Sequence, residues 1–192
     1  MGTALLRILI AIVVSATMYV VPGYLMMRLT RPDQLKTKSP RPVPLNLRIE
    51  GYDQTSAKAY WDWLGPEGRL SEQRFLEADL AFPFAYGGGL LAGLLILWLG
   101  LGRPFHPVGL LAPVAITILA DWIENLVQWH QLRRFLAGET LQPNLIQIAS
   151  LATSIKIVFF SLSVILFLAL CGWLLWNAFT PSRAGPADHL ML

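Results

Sequence analysis

Four stretches of the chain stay apolar for longer than a helix of a soluble domain requires, and polar connections separate them. They cover residues 5–27, 80–101, 108–128 and 145–177. Each reaches the roughly 20 residues that a helix needs to cross a ~30 Å hydrocarbon core. The pattern predicts an all-α membrane protein: a four-transmembrane-helix bundle, residues 1–180, with a short amphipathic interfacial helix between spans one and two. A disordered tail, residues 181–192, is expected to follow, since Pro181, Gly185 and Pro186 punctuate it. Span one carries no acidic residue; Pro22-Gly23 predicts a bend near its end, and Tyr19 and Tyr24 suit a membrane interface. Its apolar run exceeds the about 7–15-residue core of a cleaved leader and no A-x-A-like site follows, so an uncleaved span is expected. Span four is longer than a perpendicular crossing needs and is expected to tilt or project beyond the membrane.

The connection after span one holds Pro32, Pro40, Pro42 and Pro44, which favour a stiff, extended chain. Asp53 then suits an N-cap for a helix over residues 53–64, with Tyr52, Ser56, Ala59, Tyr60 and Trp63 on one face and Gly65-Pro66 as its stop. The aromatic density of that helix fits the headgroup layer; the competing reading is a lid over the mouth of the bundle. Ser71, with Glu72 in the first turn, is expected to start a helix that runs on into span two, so this element covers residues 72–101. Glu77 and Asp79 are two residues apart and face different ways, Asp79 inward. Pro83, one turn further, is expected to kink the helix and free backbone carbonyls for a buried polar partner. Gly87, Gly88, Gly89 and Gly93 allow a neighbouring helix to approach closely.

The polar positions inside the spans carry the chemistry. Asp121, Glu124, Asn125 and Gln128 recur at i, i+3, i+4 and i+7 and form one stripe at the end of span three. Lys156 lies about 11 residues into span four, or ~16 Å at helical rise. Up-and-down connectivity brings Asp79, the span-three stripe and Lys156 into the same half of the bilayer. Facing lipid, each charged group would cost ~2.5–3.5 kcal/mol on insertion scales, so convergence is the cheaper arrangement. Three acids against one base leave surplus carboxylate, a setting that suits proton transfer. Asp79, Asp121 and Glu124 are therefore the candidate catalytic groups; Phe82, Tyr86, Trp122, Asn125, Gln128 and Lys156 are the candidate ligand-binding ones. The alternative is purely structural: acid–lysine pairs also fasten helices, and Lys156 is long enough to snorkel.

Composition narrows the field. The 192 residues are 55% hydrophobic and 14% charged, with a mean hydropathy of +0.52, too apolar for an ordinary soluble domain. One cysteine, Cys171, excludes an internal disulfide. The histidines are scattered and no HExxH or CxxC spacing occurs, so no metal and no cofactor is expected. Net charge is +3, but the basic residues flank spans, which speaks for topology and against nucleic acid. Eleven of them, from Arg28 to Arg74 plus Arg133 and Arg134, fall on the side of the polar stripe; Arg7, Arg103 and Arg183 fall opposite. The stripe side is thus expected to be cytoplasmic and both termini external, in a bacterial inner membrane.

The motif order resembles a family of bacterial four-span proteins carrying LGPEGR, ADxxFPxxY and DWxEN, here Leu64 to Arg69, Ala78 to Tyr86 and Asp121 to Asn125. More distantly it is similar to the EXPERA class, which includes the sigma-2 receptor and the emopamil-binding sterol isomerase; the local match is Asp79-Leu80-Ala81-Phe82, with Asp121 or Glu124 as weaker correspondents. The resemblance implies a lipid-sized pocket with carboxylates, in a class that binds sterol-like amines and in part shifts a sterol double bond. This chain lacks the span-one acid of sigma-2-like members and adds Lys156. Three functions follow as expectations. The first is a pocket for a lipid, sterol-like or isoprenoid small molecule, with isomerase-type acid–base chemistry as its catalytic form. The second is an accessory subunit of a larger membrane-protein complex, docked through the face from Gly87 to Gly93. The third is a carrier, which the absence of detectable inverted repeats disfavours. Expected partners are membrane lipids, a hydrophobic ligand or a membrane complex.

Overall fold

A computed structural model describes residues 1–31 and 42–180. Among them there is no strand, and five α-helices follow in order: α1 (Gly2–Thr30), α2 (Gln54–Asp79), α3 (Phe82–Gly100), α4 (Val108–Leu136) and α5 (Pro143–Phe179). A single 3₁₀ turn, Leu45–Leu47, lies between α1 and α2. The extended segment expected over residues 40–44 falls partly outside the described residues, and the tail 181–192 wholly so.

Four helices are long and apolar enough to cross a membrane: α1, α3, α4 and α5. Their outward faces are apolar. Leu9, Val13, Val20 and Leu29 of α1, Leu119 and Ile123 of α4, and Ile165 and Leu168 of α5 are all exposed. In water that surface would be untenable; against acyl chains it is the preferred one. The chain is therefore a multi-pass membrane protein.

The region between spans differs from the expectation in three ways, each with a local cause. The helix beginning after Asp53, whose carboxylate accepts the Ser56 N–H at 2.8 Å, does not end at Leu64. Gly65 alone leaves helical geometry, at φ 65°, and the next residue, Pro66, starts a second segment of the same element. Proline suits a first helical position because its missing N–H has no partner to lose, so the second segment begins at Pro66 and not at Ser71. This segment then stops at Asp79: Leu80 and Ala81 form a turn, and α3 starts at Phe82. Pro83 is the reason, since its ring opposes the carbonyl four residues back, that of Asp79, and it has no N–H to donate. The expected continuous helix over 72–101 is thus two helices with a corner.

The face that the first segment buries is Ala57, Tyr60 and Trp61, while Ala59 and Trp63 are exposed, a different set from the one expected. Those side chains join Leu45, Tyr52, Phe75, Leu76, Leu132, Leu141, Ile146 and Ala149 in an apolar cluster at one end of the bundle. Arg31 and Glu72 form an ion pair, both almost wholly buried, and the guanidinium lies 3.5 Å from the Phe75 ring centroid. This pair ties the end of α1 to α2. A second cluster, from Ala4, Ile8 and Ala11 through Leu94, Leu97 and Val114 to Phe167 and Leu174, fills the other half, with Cys171 inside it. Between the two cores lies a layer of polar side chains.

Helix α1 packs mainly on α3, and α4 on α5, whereas α1 and α5 scarcely touch. The α1–α3 contact depends on glycine. A Cβ at Gly89 would meet Met18, one at Gly93 would overlap Ser15 and Phe167, and one at Gly87 would overlap Ile118 of α4; only Gly88 faces open space. The Ser15 hydroxyl also donates to the Gly89 carbonyl at 3.0 Å. The face from Gly87 to Gly93 is therefore consumed inside the bundle and is not the docking surface expected of an accessory subunit. Gly93→Val should lower the thermal midpoint of the detergent-solubilised protein, by overpacking worth about 1–3 kcal/mol, while Gly88→Ala should leave it unchanged; equal midpoints for the two would contradict this packing.

Candidate functional site

The corner at Leu80-Ala81 builds the site. Breaking the helix leaves two carbonyls without helical partners, and side chains of α4 supply donors. Asn125 Nδ2 donates to the Asp79 carbonyl at 3.3 Å and Trp122 Nε1 donates to the Leu80 carbonyl at 3.0 Å. The corner is thus pinned to α4, and the Asp79 side chain is turned inward, where it is 4% exposed. Glu77, two residues earlier, is exposed and accepts from Gln73 at 2.9 Å and Trp129 at 3.0 Å. Those hydrogen bonds hold its carboxyl below the ordinary glutamate value.

Along α4 the four polar residues of the stripe are all buried. Asp121 accepts three interactions: from the Tyr86 hydroxyl at 2.8 Å, from Asn125 Nδ2 at 3.2 Å and from Lys156 Nζ at 3.1 Å. Lys156, on α5, also pairs with Glu124, one turn further along α4. Gln128 Nε2 donates to Glu124 at 3.0 Å and to the Tyr52 hydroxyl at 2.8 Å. Burial, and after it the Glu124 carboxylate, push the Tyr52 phenol above its ordinary value, so it remains a neutral hydroxyl. A continuous polar path therefore runs from Tyr52, ahead of α2, through Gln128, Glu124, Lys156 and Asp121 to Tyr86 on α3. The backbone N–H of Tyr52 is fixed in turn by Ser150 Oγ of α5 at 2.7 Å.

Beside this path is a cavity of about 200 Å³. Asp79, Asp121 and Lys156 are its charged lining, and Thr117 adds a hydroxyl that donates to its own helix at the Pro113 carbonyl, 2.9 Å away. Four rings form its apolar wall. Tyr19 of α1 lies 5.7 Å from Phe82, 6.2 Å from Tyr86 and 5.9 Å from Phe160 between centroids, and Phe82 lies 5.1 Å from Tyr86. The remaining boundary comes from Met26, Phe75, Ile157 and the 3₁₀ turn through Asn46 and Leu47. Every element of the fold contributes to it.

Of the residues singled out from sequence, Asp79, Asp121, Lys156, Phe82 and Tyr86 border the cavity. Glu124, Asn125 and Gln128 stand behind them and orient them. Trp122 is not a wall of the cavity, because its indole is committed to the Leu80 carbonyl and its ring packs on exposed Phe84, with centroids 4.6 Å apart. Phe160 and Thr117 escaped the sequence reading, and Tyr19, expected at a membrane interface, lines the cavity. The helices carrying the two rings are apolar nearly all round, so hydrophobic periodicity could not say which residues face inward. Among the described residues no group of acids, histidines and cysteines is close enough to hold a metal ion. Comparison with family models, curated proteins and solved structures found no match to this chain.

The arrangement has one clear energetic dependence. Removing Lys156 leaves two buried carboxylates without their cation, the costly way to break a buried pair, at about 3–5 kcal/mol. Lys156→Met should therefore destabilise the bundle strongly, and the double variant Lys156→Met/Glu124→Gln should recover a substantial part of the loss. Thermal unfolding of wild type, Lys156→Met, Glu124→Gln and the double variant in one detergent checks it; simple additivity would show that the ammonium and Glu124 are not coupled.

Proposed function

We propose that this protein binds a lipid-like small molecule, whether a lipid, a sterol-like compound or an isoprenoid, in the cavity lined by all five helices. The observation that carries the reading is Asp79. Its buried carboxyl lines the cavity and has no basic partner among the described residues, while the single ammonium nearby is engaged by Asp121 and Glu124. A third acid facing an aromatic-walled cavity is surplus to a fastener and of use to a binding site. The four rings supply apolar surface and the two acids supply polar anchors, the combination an amphiphile requires. If the bound molecule is isomerised, Asp79 and Asp121 are the pair placed to give and take the proton, with Glu124 acting behind Lys156. The likeness of the Asp79-Leu80-Ala81-Phe82 segment to the EXPERA class points the same way.

The excess of basic residues on this side of the bundle supports a cytoplasmic mouth and external termini, in a bacterial inner membrane. The second reading, a non-catalytic subunit of a membrane complex, is favoured by one observation: Lys156 bridges two acids of α4 and so joins α4 to α5 without any ligand. The two readings separate on Asp79→Asn. Lipid extracts of the purified wild-type protein should contain a specific bound species, analysed by mass spectrometry, and Asp79→Asn should lose it while eluting as the same folded particle. A variant that unfolds, from a wild type whose extracts match bulk membrane lipid, would favour the fastener.

A further inference from the structure

We infer that the site takes a single-chain amphiphile whose head donates hydrogen bonds, an alcohol or an amine, and that its chain leaves sideways between α1 and α5 into the bilayer. This rests on the cavity being a binding site, and it narrows the ligand class by size, exit route and polarity.

Size comes first. Pockets that enclose a drug-sized molecule measure about 300–1,000 Å³, and this one measures about 200 Å³. It holds a head and the first few carbons of a chain, but not a fused polycyclic nucleus, so the rest of a larger ligand must lie outside. The seam between α1 and α5 offers a route: the two helices meet at few positions, and beside the cavity Tyr19 and Phe160 stack across the seam, inclined at 28°. Tyr19 is 47% exposed although it lines the cavity, and Leu47 at the rim is 61% exposed. Tyr19 lies 11 residues before the end of α1, ~16 Å along the helix axis, so this flank of the cavity lies within the length of a spanning helix. Two flat rings side by side pass a flexible chain more readily than a rigid ring system.

Polarity selects the head. The carboxylates of Asp79 and Asp121 offer acceptors, while Lys156, the one basic side chain lining the cavity, already balances Asp121 and Glu124. A carboxylate or phosphate head would add negative charge to three acids balanced by one base. A hydroxyl or an ammonium finds partners at once, and an ammonium also finds the faces of the four rings.

The experiment uses the full chain in lipid nanodiscs and a photoreactive hexadecanol carrying a diazirine near its hydroxyl. The probe should label Phe82, Tyr86 or Phe160, read by peptide mass spectrometry. Unlabelled hexadecanol or hexadecylamine should displace it, and palmitate or cholesterol should not. Ile157→Trp, which fills the lining from α5, should reduce labelling about tenfold; Leu47→Trp, at an exposed position on the rim, gives a second obstruction less demanding of the fold. Displacement by cholesterol would overturn the single-chain assignment, and displacement by palmitate the donor-head assignment, each leaving the pocket itself standing. Absence of cavity labelling from intact wild-type protein would remove both this inference and the binding reading beneath it.

Discussion

The arrangement depends on one ammonium group. Lys156 sits within a helix that is otherwise uncharged, and it is tolerated there because Asp121 and Glu124, a turn apart on α4, hold it. The converse is equally strict: two carboxylates on a spanning helix require a cation, and no other basic side chain pairs with them among the described residues. Neither helix inserts cheaply without the other. This mutual requirement fixes the rotation of α4 and α5 about their axes, which apolar packing between helices in lipid would leave loosely specified, because acyl chains are as apolar as leucine. With α4 so oriented, Asn125 and Trp122 point at α2–α3, and the corner there has partners waiting.

The corner is the second constraint, and it follows from covalent chemistry. Pro83 cannot donate to the Asp79 carbonyl and obstructs it sterically, so the helix must break. In hydrocarbon a freed carbonyl costs several kcal/mol unless a donor reaches it. Asn125 and Trp122 meet that need, and in doing so set the direction of Asp79. The inward carboxyl is thus a consequence of a proline four residues later and an amide on another helix. A three-layer structure results: apolar cores above and below, joined by α1 through its glycine contact with α3, and between them a polar layer with a cavity on the α1–α5 side.

How much of this is legible in the residues follows from what kind of signal each feature leaves. The spans are written as uninterrupted apolar runs, and the stripe from Asp121 to Gln128 as a helical period, so both can be read directly. The opposite facing of Glu77 and Asp79 follows from their spacing alone. The break at Leu80 is half legible: Pro83 announces strain, but whether a helix bends or ends depends on whether donors lie nearby, which is a tertiary fact. Trp122 shows the same limit. An indole at that position fits a pocket wall or a capping donor equally well, and the free carbonyl of Leu80 decides. Phe160 leaves no signal and Tyr19 reads as an interface residue, since an aromatic residue in an all-apolar helix reads the same facing lipid or facing inward. The second α2 segment starts ahead of the expected residue for a plainer reason: Ser71 resembles a cap, while Pro66 needs none.

The glycines show why composition alone misleads about function in such a protein. A run of Gly87, Gly88 and Gly89 on a spanning helix invites a partner subunit, yet in this bundle three of the four glycines from Gly87 to Gly93 are filled by Ile118, Met18, Ser15 and Phe167 of the same chain. Gly89 and Gly93 bring α1 close to α3, Gly87 brings α4 close, and the first closeness carries Tyr19 over Phe82 and Tyr86. α1 itself has no acid and few buried residues, and it contributes to the polar layer by geometry alone. The α1 side of the cavity therefore depends on backbone proximity more than on any polar contact. A change that merely pushed α1 outward would widen the gap beside α5 while leaving the Lys156 network intact, so the two halves of the site, the charged floor and the aromatic wall, are separable in principle.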